Sequence, residues 1–83
     1  MALRNLGRHE EFETALDEAD RVFDTMVRER PEDAGAWNGK GSVEALRGHL
    51  SEALHFIDCA LEIDPNYKAA LADREEIIRL TTQ

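Results

Sequence analysis

His55 and Cys59 stand four residues apart. On a helix that spacing turns two ligands toward one zinc ion, and His9 and His49 are the further imidazoles such a site would draw on. Two ligands do not make a site. The expectation is a surface histidine beside a small half-buried thiol, with no metal and no cofactor bound. The paired carboxylates Glu10-Glu11, Asp17 with Asp20, and Glu75-Glu76 have the residue types of acid–base chemistry. On helices such charge runs form the solvated face, and that is the expectation for them here. No Gly-rich phosphate loop follows a strand, and no Ser, His and Asp arrangement emerges from spacing. No catalytic residue is therefore assigned, and the chain is not expected to be an enzyme.

The bulk properties agree. At 83 residues, 42% hydrophobic and 34% charged, the sequence has the makeup of one small globular unit. Such a chain buries only about 60% of its unfolded surface, too little for a deep cleft inside a thick supporting shell. Ten Lys and Arg against eighteen Asp and Glu leave a net charge of −8. That balance argues against general affinity for nucleic acid or anionic lipid. One cysteine cannot close an internal disulfide. Residues 1–7 lack the apolar core of a signal peptide, and no apolar run approaches a membrane span. A cytoplasmic setting is expected.

The elements that must position these side chains read as helices throughout. Phe12, Ala15, Leu16, Ala19, Val22, Phe23, Met26 and Val27 follow helical spacing along one face. The opposite face carries Glu13, Asp17, Asp20, Arg21, Asp24 and Arg28, and the helix ends near Arg30 because Pro31 cannot continue it. Asp33 is placed to cap a second helix over about residues 34–47, stopped by Gly48. Ser51 is the candidate cap of a third, which ends at Asp64-Pro65-Asn66, and a last helix covers about residues 67–80. No stretch alternates as a half-buried strand does.

A shift of 34 residues superposes Ala2 on Ala36, Gly7 on Gly41, Glu10 on Glu44, Leu16 on Leu50, Glu18 on Glu52, Ala19 on Ala53, Asp24 on Asp58 and Pro31 on Pro65. These are eight gapless identities, and a second shift brings Ala70 under Ala36. With Trp37, Lys40, Gly41, Glu44, Gly48, Ala53, Ile57, Ala60 and Pro65 in this order, the sequence resembles the tetratricopeptide repeat family, whose helix–turn–helix units stack into a solenoid. Lys40 replaces the usual Leu and Glu44 the usual aromatic, departures that weaken the packing. The first copy agrees at Leu3, Leu6, Gly7, Ala19, Phe23, Met26 and Pro31, but has Thr14 where Gly48 turns the second.

The gapless register favours two full repeats, about residues 1–33 and 34–67, with a turn at Thr14 and a capping helix over about 67–80. The unbroken apolar face from Phe12 to Val27 supports the alternative, one long helix over residues 9–30. In this stack Gly7, Gly41, Ala19, Ala53 and Ala60 let helices approach closely, while Trp37 fills the junction between neighbours.

What the resemblance implies is an all-α, non-catalytic protein–protein interaction module, an adaptor or scaffold. The first helix of each repeat lines a groove, which assigns it to Arg4, Arg8 and Phe12, then Asn38, Ser42 and Leu46, then Glu76 and Arg79, with Glu11, Ala45 and Ala72 alongside. Arg4 and Arg8 are expected as carboxylate partners. Relatives that clamp acidic tails use basic residues where Ala69 and Asp73 stand, so that subclass is disfavoured. The expected partner is a protein or peptide. The alternative is a structural element joining copies of itself, a homodimer, or a fragment of a longer repeat array, because Leu3, Leu6 and Phe12 lack an evident cover.

Overall fold

A computed structural model describes residues 2–82 of the chain, with side chains from residue 11 onward. It contains α1 (Ala2–Glu29), α2 (Ala34–Leu46), α3 (Leu50–Ile63) and α4 (Lys68–Thr81), and no strand among the described residues. Each helix packs on the next along the chain, and α4 also touches α2 lightly.

Local rules account for most of the boundaries. Arg30 N–H still donates to Met26 O at 2.8 Å, and Pro31 then ends α1. Asp33 is extended and caps α2, its Oδ1 accepting from the N–H groups of Gly35 at 2.9 Å and Ala36 at 3.4 Å. Gly48 leaves α2 with φ of +86°, a conformation that is costly for any residue with a Cβ. Helix α3 begins one residue before the expected cap. His49, not Ser51, is its cap position, because His49 O already accepts from Ala53 N at 2.9 Å, and no side chain caps it.

The expected turn at Thr14 is absent: α1 runs unbroken from Ala2 to Glu29, so residues 1–33 are not a helix–turn–helix unit. The cause is conformational. The corresponding turn after α2 uses a left-handed glycine, and threonine reaches that region only at the cost of about 1–2 kcal/mol. Residues 9–20 contain no glycine or proline to stop the helix.

The core is built from small side chains. Ala36, Ala53, Ile57, Ala60 and Ala70 are fully buried, and Ile57 is the largest side chain among them. Gly41 makes this possible: a Cβ there would stand 2.7 Å from Ile57 Cγ1 and 3.0 Å from the backbone oxygen of Ala53. Trp37 packs at the edge of this cluster, stacked on Phe56 with centroids 6.1 Å apart, and its Nε1–H donates to Pro31 O at 2.8 Å. The indole therefore ties the α1–α2 connection to α3. Between α1 and α2, the Phe23 ring lies directly over Gly39.

The 34-residue period recurs in the bonding. Asp33 N–H donates to Arg30 O and Tyr67 N–H to Asp64 O, both at 3.0 Å, around Pro31 and Pro65. Arg30 N to Met26 O is matched by Asp64 N to Ala60 O, and Trp37 N to Asp33 O by Leu71 N to Tyr67 O. The Asp24–Lys40 ion pair between α1 and α2 is matched by Asp58–Arg74 between α3 and α4.

Gly41→Ala should lower unfolding free energy by about 1–3 kcal/mol through overpacking against Ile57 and the Ala53 carbonyl. Gly48→Ala, which meets no neighbour, should cost about 1–2 kcal/mol through its φ alone. Urea titration reads both. An unchanged midpoint for Gly41→Ala would contradict the close approach of α2 and α3.

Candidate functional site

Because α4 leans mainly on α3 and only lightly on α2, the C-terminal halves of α2 and α4 stand apart and leave a cleft of about 360 Å³. Ile57 and Ala45 lie at its base, and Leu46, Leu50, Ile77 and Leu80 form its walls. Leu46 is 60% exposed and Leu80 50% exposed, so the apolar surface continues out of the cleft onto its lips. Ser42, Asp73 and Glu76 supply the polar edge. Ser42 Oγ–H donates to Asp73 Oδ2 at 3.3 Å, bridging α2 to α4, and Glu76 pairs with Arg79 at 2.8 Å.

Of the residues expected to line a groove, the structure brings Ser42, Ala45, Leu46 and Glu76 together in this cleft, with Arg79 attached through Glu76. Asn38 lies one turn before Ser42 on α2 and is only 8% exposed. Its Oδ1 is buried without a hydrogen-bond partner, an unusual state for a folded interior. Phe12 is 46% exposed on α1 and takes no part in the cleft, because α1 meets α2 alone among the described residues. The side chains of Arg4 and Arg8 lie outside the described residues. Leu50, Asp73, Ile77 and Leu80 join the site without having been anticipated. Their membership depends on the tilt of α4, for which a helical period carries no signal.

The α1–α2 contact is a polar seam. Asp17, Asp20 and Asp24, expected on the solvated face of α1, point at the cations of α2 instead. Lys40 Nζ sits 3.4 Å from Asp24 and 3.6 Å from Asp20, and 5.1 Å from the centre of the Phe56 ring. Arg47 reaches Asp17 at 2.5 Å, Glu44 at 3.2 Å and Asp20 at 3.8 Å. Burial works against the Arg47 cation, but Asp20, Glu44 and Asp17 together more than offset it and hold its pKa above the ordinary value. The two departures from the repeat pattern, Lys40 and Glu44, are thus each provided with charge partners. The available signal was the spacing: acids at 17, 20 and 24 match cations at 40 and 47, two turns apart on α2.

Among the described residues, Glu44, His49 and Glu52 gather ligand-type atoms within 4.8 Å at the α2–α3 corner. Glu44 is already engaged there, one oxygen near Arg47 and the other 2.7 Å from His49 Nδ1. Arg47 meets the charge of this buried carboxylate and the His49 ring lies within hydrogen-bond distance of its other oxygen, so the corner reads as a bonded side-chain network. His55 is exposed, edge-on to Phe56 at 5.7 Å, and Cys59 is half-buried. Burial, with Glu62 and Asp58 adding to it, pushes the Cys59 thiol above its usual value of 9.0.

No model of a known protein family and no curated protein matches this sequence.

The raised Cys59 value has a definite sign. The folded chain holds the thiol proton more tightly than the unfolded chain, so this contribution is complete below pH 9.0 and is lost as pH rises through the higher folded value. Cys59→Ala should therefore lose less stability than the parent chain between neutral and strongly alkaline pH. Denaturant titration across that range tests it; parallel pH profiles would remove the assignment.

Proposed function

We propose that this protein is a non-catalytic interaction module, an adaptor or scaffold whose α2–α3–α4 cleft holds a protein segment. The observation that carries the reading is the cleft itself, an apolar recess with exposed leucine lips and a carboxylate edge. Seating one Leu-sized side chain there is worth roughly 1.5–3 kcal/mol, enough to anchor a segment whose remaining contacts add modestly. Asp73 and Glu76 favour a segment that pairs its apolar anchor with Lys or Arg. The net charge of −8 steers basic partners toward the molecule at moderate salt.

The helix–turn–helix formed by α2 and α3, followed by α4, is read here as one tetratricopeptide-like repeat with its capping helix. The C-terminal half of α1 takes the place of the preceding repeat's second helix. Support comes from the turn hydrogen bonds and ion pairs that recur at an interval of 34 residues. No helix among the described residues is long and apolar enough to cross a membrane, and a cytoplasmic setting is part of the proposal.

The test uses two synthetic amphipathic helical peptides with the same leucines, one flanked by lysines and the other by glutamates. Fluorescence anisotropy should show binding of the lysine peptide only. Asp73→Lys with Glu76→Lys should weaken that binding at least about tenfold, equivalent to about 1.4 kcal/mol. Ala45→Trp, which fills the base of the cleft, should abolish it without changing the helical circular dichroism spectrum. Equal binding of both peptides, or indifference to Ala45→Trp, would sink this reading.

A further inference from the structure

The 34-residue register makes a comparison possible within the chain itself. Ala53, Ile57 and Ala60 on α3 are fully buried beneath α2 and its neighbours. Their register partners on α1 are Ala19, Phe23 and Met26, and all three are only half-buried. Val22, in register with Phe56, is 58% exposed. The face is equivalent in sequence position, but its cover is incomplete. What covers α3 is α2, and the segment in register with α2 is the first half of α1: Ala2 stands for Ala36, Gly7 for Gly41 and Glu10 for Glu44. That segment cannot return to cover Ala19 and Phe23 of its own chain, because α1 continues straight through Thr14.

We infer that residues 2–13 of a second copy cover the Ala19–Phe23–Met26 face, and that the exchange is reciprocal. The two α1 helices then run antiparallel about an axis near Thr14. Gly41 meets Ala53 and Ile57 within the chain, and subtracting the register places Gly7 of one copy against Ala19 and Phe23 of the other. The geometry closes: each first half faces the other chain's second half, giving a two-fold, isologous pair with no open end. A short turn replaced by continuous helix is the usual route to exchange, since the same contacts form between chains instead of within one. The surface is distinct from the α2–α3–α4 cleft, so it stands or falls independently of the peptide-binding reading.

The experiment is cysteine pairing in the full chain. Gly7→Cys and Ala19→Cys are introduced together with Cys59→Ser, and the product is oxidised and run without reductant, alongside sedimentation of the unmodified chain. The exchange predicts a covalent species of twice the 9.4 kDa chain mass, and the same dimer mass for the unmodified chain. Thr14→Gly restores the residue type that turns the chain at Gly48 and weakens the continuous helix. It should raise the dimer dissociation constant by about tenfold or more. A disulfide closed within single chains would mean that residues 2–13 fold back, and would overturn the exchange. So would an unmodified chain that remains monomeric at its highest soluble concentration. Should the double cysteine chain fail to fold, the mass of the unmodified chain and its response to Thr14→Gly decide the matter alone.

Discussion

The arrangement depends on how closely α2 approaches α3 at Gly41. With no Cβ there, the backbone of α2 comes within contact distance of Ile57 and the Ala53 carbonyl, and the fully buried alanines follow from that spacing. Among the described residues, a core with only one large, fully buried side chain has little apolar area to hold four helices. Its stability must come from tight contact over small residues, which is why an added methyl at Gly41 matters more than its size suggests. The cleft is a consequence of the same economy. Ala45 is too small to fill the angle between α2 and α4, and the leucines that could have closed it, Leu46 and Leu80, stand at the lips.

Helix α1 is held by different physics. Leu16 and Val27 are buried and Phe23 covers Gly39, but much of the seam with α2 consists of ion pairs around Lys40 and Arg47. The cations of these pairs are largely covered, Lys40 being 12% and Arg47 21% exposed, while their α1 acids keep 31–63% exposure, so salt screens them only in part, whereas the α2–α3 contact gains from burial that salt does not weaken. These ion pairs set the register of α1 against α2. Glu44 differs in kind: it is buried and Arg47 meets its charge, so truncating Arg47 would leave a costly carboxylate in the interior.

Features governed by local chemistry were legible in the sequence. Pro31 and Pro65 end helices, Asp33 caps α2, Gly48 turns the chain and Gly41 marks the close approach, because each depends on a property of one residue and its immediate neighbours. The register misled at Thr14 for the same reason. Periodicity reported where a turn belongs in a repeat, but the residue there lacks the backbone freedom that makes the turn at Gly48. Of the residues that line the cleft, Ser42, Ala45, Leu46 and Glu76 were among those the resemblance placed along a groove. Asp73, Ile77 and Leu80 were not, because a helix's tilt against its neighbours is set by the sum of many contacts. The polar seam was hidden for another reason: acids on a helix look alike whether water or a facing lysine satisfies them.

Charge sets the α1 face and the cleft apart. Two copies of a chain at −8 repel each other at long range, so they associate only where apolar area is large enough to overcome that repulsion, and where acids are already neutralised. On α1, Ala19, Val22, Phe23 and Met26 are apolar, and the neighbouring Asp20 and Asp24 are paired with Lys40. The cleft has the opposite character. Its edge keeps Asp73 and Glu76 on α4, where only a hydroxyl and a well-exposed arginine answer them, so a second copy of this acidic chain is a poor occupant and a basic segment a good one. The same net charge thus weighs against self-association at the cleft more than along the apolar strip of α1, where the proposed exchange between copies would take place.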